Sequence, residues 1–345
     1  MVQARVLQIV RQFWENAIKL LSEDPKNVRD LLALCGADIV KQIDLRRLKL
    51  IQTTFVERDY RHVESDVVLL APLRRRKGER TARVLMIYIL IEHQSEPDRL
   101  MPLRSVDYVV QIYKYQVREW SKTHRSLARI RLYPVLPVVF YTGTQRWDSV
   151  GRLLDLVERG EAFAAVTPAM DPLFINLPAI PPEILEQQGG SLGWVLRLIQ
   201  QRKSRPREFR RLLNGVVQHL ETMPKAERRR WLELLSYIMA FVYHVREPSE
   251  WPSLQETIEA SVQTDEHRQE IFEMRRTIAD ELEERGAIRK SQQTLIRQLQ
   301  RRFADVPDEL LSTIRATDDP EQLDEWLDQV VTAETLDEVG IEVPA

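Results

Sequence analysis

Along the chain, the clearest secondary-structure signal in the pattern of apolar and polar residues lies at residues 84–91, where eight apolar residues follow one another without a break. Such a run, rich in β-branched and aromatic side chains, is typical of a strand that is buried on both faces. The strand leads directly into Glu92, His93 and Gln94. Because side chains alternate along a strand, Glu92 and Gln94 are expected on one side of the sheet and His93 on the other.

A second apolar strand is predicted just upstream, at residues 67–70, with Asp66 at its start. If the two strands pair as an antiparallel hairpin, Asp66 lies beside Glu92 and Gln94. Two carboxylates about 4 to 5 Å apart repel each other by about 4 kcal/mol at an effective dielectric constant of about 20. A divalent cation between them would turn this repulsion into binding. The alternative is that these residues are only the polar ends of two strands.

Helical spacing of apolar residues predicts helices on both sides of the hairpin. The predicted helices of this half span residues 4–22, 27–35, 37–49 and a segment that starts at Ser95 or Met101 and ends at Trp120. Further strands are predicted at residues 53–56, 134–141 and 173–177. The order through residue 141 is therefore helix, three strands, helix, strand, and the fold class is α/β.

The chain beyond residue 183 is predicted to be wholly helical. The predicted divisions are an α/β domain at 1–180, a basic helical region at 183–262, a long helix or helix pair at 263–303 that breaks near Gly286, and a small acidic helical tail at 304–345. Apolar residues in the third division suit packing against a partner helix, which suggests a homodimer formed through the C-terminal helices.

The charge is divided unevenly along the chain. Residues 304–345 hold thirteen acidic side chains and one basic side chain, whereas the other 303 residues hold 49 basic and 39 acidic ones. A basic body favours a nucleic acid or another phosphate-bearing partner. The acidic tail could shield this body or keep the protein soluble, and the sequence leaves both options open.

The sequence argues against several kinds of site and segment. Cys35 is the only cysteine, so an internal disulfide and a cysteine-rich zinc site are excluded. The N-terminal residues lack the pattern of a signal peptide, and no apolar run reaches the roughly 18 residues of a membrane span. These observations predict a cytoplasmic protein without a membrane segment. There is also no glycine-rich P-loop.

The order of elements, together with Asp66, Glu92 and Gln94, resembles the core of the PD-(D/E)XK nuclease superfamily. The resemblance implies a restriction-endonuclease-like αβββαβ core with a mixed central sheet, here followed by an all-α C-terminal half. The stretch from Ile91 to Met101, IEHQSEPDRLM, is similar to the recombination-promoting nuclease family, also called YhgA-like or putative transposase.

Other parts of the chain extend this resemblance. Residues 64–67 and 137–143 match it upstream and downstream, so that it covers roughly residues 20–180. Residues 295–327 resemble a small helical domain of unknown function that often accompanies these nuclease cores.

The resemblance implies a metal-dependent DNA endonuclease of low sequence specificity. Asp66 and Glu92 would be the ligands of Mg²⁺, and Gln94 stands where the superfamily usually has lysine. Glutamine can donate a hydrogen bond but brings no positive charge. Two alternatives follow, namely a catalytically inactive nuclease-like module that binds DNA or protein, and a transposing enzyme, which would need further acidic residues.

Other residues near the motif could also serve the site. Glu57 could be an accessory acid or part of a charged loop, and His93 is expected to be a hydrogen-bonded core histidine. Arg104 and Gln111 could contact phosphate or support the site, whereas Trp147 and the following aspartate are expected to serve packing and a turn.

Overall fold

The computed structural model describes residues 13–51, 67–74, 86–303 and 305–342. The first unit, residues 1–271, is built around a five-stranded sheet. Its strands are β1 (Lys49–Ile51), β2 (Val67–Pro72), β3 (Met86–Gln94), β4 (Val135–Tyr141) and β5 (Leu173–Asn176). Their order in the sheet is their order in the chain, with β1, β2 and β3 antiparallel and β3, β4 and β5 parallel. The protein is therefore an α/β protein with a mixed sheet.

Strand β3 lies at the centre and has the register that the sequence predicts for the hairpin. Val67 of β2 pairs with Ile91 of β3. On the other side, Gln94 pairs with Tyr141 of β4, which in turn pairs with Asn176 of β5. The parallel strands thus end together, and we call this side of the sheet the carboxyl edge.

Helices cover the sheet and continue beyond it. Those of the first unit are α1 (Phe13–Ser22), α2 (Pro25–Ala33), α3 (Asp38–Lys41), α4 (Met101–Thr123), α5 (Pro182–Gln188), α6 (Gly190–Gln200), α7 (Pro206–Glu221), α8 (Arg228–Val245) and α9 (Trp251–Ser261). A further helix, α10 (Asp265–Arg302), crosses from this unit into the second. None of the helices within the described ranges is long and apolar enough to cross a membrane.

Helix α4 packs on the face of the sheet that bears Glu92 and Gln94. Its residues Tyr108 and Ile112 are buried in one apolar cluster with Tyr88 and Leu90 of β3. Because strand side chains alternate, Glu92 and Gln94 lie on the same face of β3 as Tyr88 and Leu90. The two polar residues at the carboxyl edge therefore face helix α4.

Polar side chains tie the helices that follow the sheet to earlier parts of the first unit. The Gln200 side chain of α6 donates hydrogen bonds to the backbone oxygens of Leu177, at 3.0 Å, and Ile180, at 2.8 Å. Arg230 of α8 is buried, and it donates to Asn27 at 2.8 Å and forms an ion pair with Asp30 of α2. Residues 183–262 thus pack with the sheet in one unit, and the predicted boundary near residue 180 stays a prediction.

The second unit, residues 272–345, has its own apolar core. Helices α11 (Asp308–Ala316) and α12 (Pro320–Thr332) contribute Ile314, Leu323 and Trp326, which cluster with Leu295 and Leu299 of α10. Helix α12 starts as the sequence predicts, because the Asp319 side chain accepts hydrogen bonds from the first backbone amides and proline follows it.

The predicted helix over residues 37–49 is wrong. Helix α3 ends at Lys41, a 3-10 turn follows at Leu45–Arg47, and the chain then enters strand β1. The cause is tertiary pairing, because Ile43 bridges to Leu73 and the amide of Asp44 donates to the oxygen of Pro72 at 2.9 Å. The strand predicted at residues 53–56 lies outside the described residues.

The break predicted near Gly286 is also wrong, because α10 is continuous for 38 residues. Glycine costs about 1 kcal/mol in a helix interior, and a long helix can absorb this cost. The apolar residues that suggested a partner helix, including Met274, Ile278, Leu295 and Leu299, are buried in the single chain. Their spacing therefore gives no support to a homodimer.

Candidate active site

Glu92 is the central residue of the carboxyl edge. Its side chain is only 1 % exposed. One carboxylate oxygen, Oε1, accepts hydrogen bonds from Gln94 Nε2 at 2.7 Å and from Arg104 Nη2 at 2.6 Å. The other oxygen, Oε2, is buried and has no hydrogen-bond partner among the described residues. A buried carboxylate oxygen without a partner is costly, so this atom is suited to a ligand that supplies positive charge.

Arg104 links Glu92 to helix α4 and to the loop before it. Its Nη1 donates to Asp98 Oδ2 at 2.8 Å, and its Nη2 donates to the hydroxyl of Tyr108 at 3.0 Å. Burial opposes the charge on this guanidinium, yet the hydrogen bond with Tyr108 and the negative charges of Glu92 and Asp98 outweigh burial and raise the pKa of Arg104. Arg104 is therefore a fixed positive charge next to the Glu92 carboxylate.

Gln94 and His93 occupy opposite faces of β3, as the alternation predicts. The Gln94 amide reaches back two residues to Glu92 and fixes the orientation of its carboxylate. The His93 ring lies on the other face, where Nε2 is 2.8 Å from the Thr142 hydroxyl. Burial lowers the pKa of His93 to about 4, so the ring is neutral at pH 7. The predicted hydrogen bond of this histidine is confirmed, and the residue is half-buried at the end of the strand.

At the carboxyl edge, the loop after β3 and the loop after β4 pack closely against each other. A Cβ atom at Gly143 would lie 2.3 Å from the backbone oxygen of Ser95 and 2.1 Å from the hydroxyl of Tyr141, so only glycine fits. Trp147 packs edge-on against Tyr141, with ring centroids 5.0 Å apart, which confirms its predicted packing role. Close packing therefore holds the loop after β3 against the loop after β4.

The structure brings three of the predicted site residues together. Glu92, Gln94 and Arg104 form one hydrogen-bonded group, whereas Gln111 donates to Asp107 on its own helix, at 2.8 Å. Asp66 and Glu57 lie outside the described residues.

Asp98 and Tyr108 also belong to this site, although neither was among the predicted site residues. The helix begins at Met101, the later of the two predicted starts, and Asp98 lies just before it, where its side chain accepts hydrogen bonds from the Leu100 amide and from Arg104. Arg104 and Tyr108 are four residues apart on α4, a spacing at which helical side chains meet. That spacing was the available signal.

Glu92 is the described residue at the carboxyl edge that could bind a divalent cation. Across the described ranges, no group of three or more His, Cys, Asp or Glu side chains could hold a metal ion. That set does not include Asp66, the residue before Val67. Hard cations such as Mg²⁺ take carboxylate and amide oxygens and keep several waters. The unpartnered Oε2 of Glu92 therefore fits one ligand position.

Comparison with known proteins connects this site to a family. A family model described as putative transposase, YhgA-like, matches residues 15–231, which include the whole sheet, most of α1 and all of helices α2 to α7. The chain belongs to the YhgA-like putative transposase family. No solved structure matches the chain.

One curated relative carries a more specific name. The YhgA-like chain is 30% identical over 128 residues to the recombination-promoting nuclease RpnA of Escherichia coli (strain K12). The matched segment is 37% of this chain and 39% of RpnA, so the chain covers about two fifths of the length of that relative. The family identified from the IEHQSEPDRLM stretch is thereby confirmed.

Proposed function

We propose that this YhgA-like chain is a Mg²⁺-dependent DNA endonuclease of low sequence specificity, linked to DNA recombination or mobile elements. The observation that carries the proposal is the buried Glu92 carboxylate, which has one oxygen saturated by Gln94 and Arg104 and the other without a partner. The family and the nuclease named among the relatives give further support.

Glu92 and Asp66 would hold the cation. Asp66 is one peptide away from Val67, and Val67 pairs with Ile91, the neighbour of Glu92. Bound Mg²⁺ would supply a hydroxide nucleophile from its water and stabilise negative charge on the phosphate. The remaining residues prepare the site. Gln94 turns the Glu92 carboxylate so that Oε1 is used within the protein and Oε2 is left available.

Gln94 replaces the lysine of the usual nuclease motif and therefore leaves the strand without a positive charge. Arg104 compensates for this loss, since its guanidinium lies 2.6 Å from Glu92 Oε1 and is 35 % exposed. This partly exposed cation is available to a phosphate group beside the carboxylate. The order of elements and the Asp66, Glu92, Gln94 spacing support a PD-(D/E)XK-like core as part of the proposal.

Cleavage of supercoiled plasmid in the presence of Mg²⁺ tests the proposal. Wild-type protein is expected to nick the plasmid, and Asp66→Ala and Glu92→Gln are each expected to lower the rate by at least about a hundredfold. Asp107→Asn is the matched control, because Asp107 is an exposed carboxylate on α4 whose partner is Gln111. Equal nicking by all four proteins would show that the activity does not belong to this site.

The second candidate is a nuclease-like module that binds DNA or protein without cleaving. One observation favours it, namely that Arg104 already neutralises Glu92 through an ion pair. This candidate predicts DNA binding that is unchanged by Mg²⁺ and by Glu92→Gln, together with no nicking by any variant. The plasmid experiment therefore separates the two candidates.

A further inference from the structure

A group of exposed cations surrounds the connection between helices α6 and α7. Its members, which we call the basic patch, are Lys203, Arg205, Arg207, Arg210 and Arg211. No hydrogen bond or ion pair of their side chains with any described residue is found. Arg207, Arg210 and Arg211 follow helical spacing on α7, so like charges are neighbours on one face. Glu208 is the one acidic residue within the patch.

The arrangement of these cations is unfavourable for the isolated protein. Like charges three and four residues apart on a helix repel, and Arg207 lies in the first turn, where the helix dipole disfavours positive charge. An external polyanion would relieve both costs. The spacing is therefore better suited to a bound partner than to the stability of the helix itself.

The position of the connection is fixed by two other arginines. Arg202 donates from Nη2 to the backbone oxygen of Thr142 at 2.8 Å, and the amide of Thr142 donates to the oxygen of Gln94 at 3.0 Å. The connection is thus tied to the carboxyl edge, directly beyond the strand that carries Glu92.

Arg246 also contacts the backbone of the connection between α6 and α7. It is buried, donates to the backbone oxygens of Arg202 at 2.9 Å and Ser204 at 3.0 Å, and stacks over the Phe209 ring. Because these buried contacts fix the backbone of the turn, the exposed arginines are presented on a rigid support.

We propose that the basic patch is a docking surface for the phosphate backbone of duplex DNA, which it positions across the carboxyl edge. This inference rests on the proposed function, since it assigns a DNA-binding surface to the same site. Four of the five cations are arginines, whose planar guanidinium groups match phosphate geometry. The exposed large apolar side chains in the described part of the chain include none between residues 201 and 211, so the patch lacks the apolar anchors that protein or membrane partners use.

Binding of a short duplex to the full-length chain, measured without Mg²⁺ over a range of salt concentrations, tests the proposal. The triple variant Arg207→Ala, Arg210→Ala, Arg211→Ala is expected to flatten the slope of log K against log salt by about 2 to 3 units, because each phosphate contact contributes about 0.9. Its affinity at about 0.1 M salt is expected to fall by at least tenfold. The corresponding triple lysine variant keeps the charges and is expected to keep the slope.

A matched control lies at the opposite edge of the sheet. Arg125, Arg129 and Arg131 are also exposed, but they precede Val135, where β4 begins, and β4 is a seven-residue strand of about 20 Å. Their triple alanine variant is expected to leave the slope within about half a unit of the wild-type value. Equal flattening by both triple variants, or by neither, would overturn the proposal.

The inference and the proposed function fail in different ways. Loss of slope in the patch variant without any Glu92-dependent nicking would support the docking surface and overturn the endonuclease. Glu92-dependent nicking with an unchanged slope would do the reverse. Binding of the patch to anionic lipid vesicles but not to duplex DNA would overturn the inference in favour of a membrane surface.

Discussion

Glu92 and Arg104 form an ion pair in which the carboxylate is fully buried while the guanidinium keeps some contact with solvent. Removing one partner of a buried pair leaves the other charge without compensation. We expect Arg104→Gln to lower the free energy of unfolding by about 2 to 3 kcal/mol, below the full range for buried pairs because Arg104 is 35 % exposed. Chemical denaturation of the metal-free protein measures this change.

Two further variants make this prediction specific. The double variant Arg104→Gln with Glu92→Gln is expected to lose less stability than the sum of the two single changes, because neither charge is then left alone. Arg152→Gln is the control, since Arg152 forms exposed pairs with Asp155 and Glu161, and we expect no measurable change. Additive losses in the double variant would mean that Arg104 and Glu92 do not depend on each other.

At the level of single residues, strand alternation was enough to predict that Glu92 and Gln94 share a face. It could not reveal Asp98 and Tyr108, because their contacts with Arg104 depend on where α4 begins and on how it packs. The sequence left two starts open for α4, Ser95 and Met101, and the helix begins at Met101 with proline at its second position.

Gly143 shows how a single position controls the geometry of two elements. Gly143→Ala is expected to lower the free energy of unfolding by about 1 to 3 kcal/mol, because the added Cβ would overlap the backbone oxygen of Ser95. Displacement of Ser95 would also disturb Gln94, so any Mg²⁺-dependent nicking should fall with stability. Thermal unfolding and plasmid nicking measure the two effects.

Gly286 provides a matched control, because the same change to alanine is expected to raise the free energy of unfolding there. It lies inside α10, and a Cβ atom there would have nothing within 4 Å. Gly286→Ala is therefore expected to stabilise the protein by up to about 1 kcal/mol through helix propensity alone. Stabilisation by both variants would show that the approach between the two loops at Gly143 is looser than the structure indicates.

Elements with a strong, long pattern were predicted well, whereas short elements held by tertiary contacts were not. The buried strands β3 and β4 and the helices after residue 182 follow directly from apolar runs and helical spacing. Strand β1 has only three residues, and it exists because it pairs with β2. No local pattern specifies such a strand, since its hydrogen bonds come from a segment about twenty residues away.

At the scale of the whole chain, the split of charge between a basic body and an acidic tail was visible from composition, but its structural basis was not. The tail is folded into the core of the second unit through Leu323, Trp326 and Val330, while its acidic residues are exposed. Deleting residues 304–345 would therefore uncover Leu295 and Leu299 of α10 as well as remove charge. Truncation cannot tell shielding from loss of folding.

Neutralising exposed acids of α12 separates the two effects. The variant Glu321→Gln, Asp324→Asn, Asp328→Asn keeps the buried face of the helix and removes three negative charges. If the tail shields the basic body, the affinity for duplex DNA should rise by about two- to threefold at about 0.05 M salt and return to the wild-type value at about 0.5 M, where charges are screened within about 4 Å. Titrations of the two proteins at both salt concentrations measure the effect. Equal affinities at low salt would instead assign the acidic residues to solubility, and this variant should then precipitate at lower protein concentrations than the wild type.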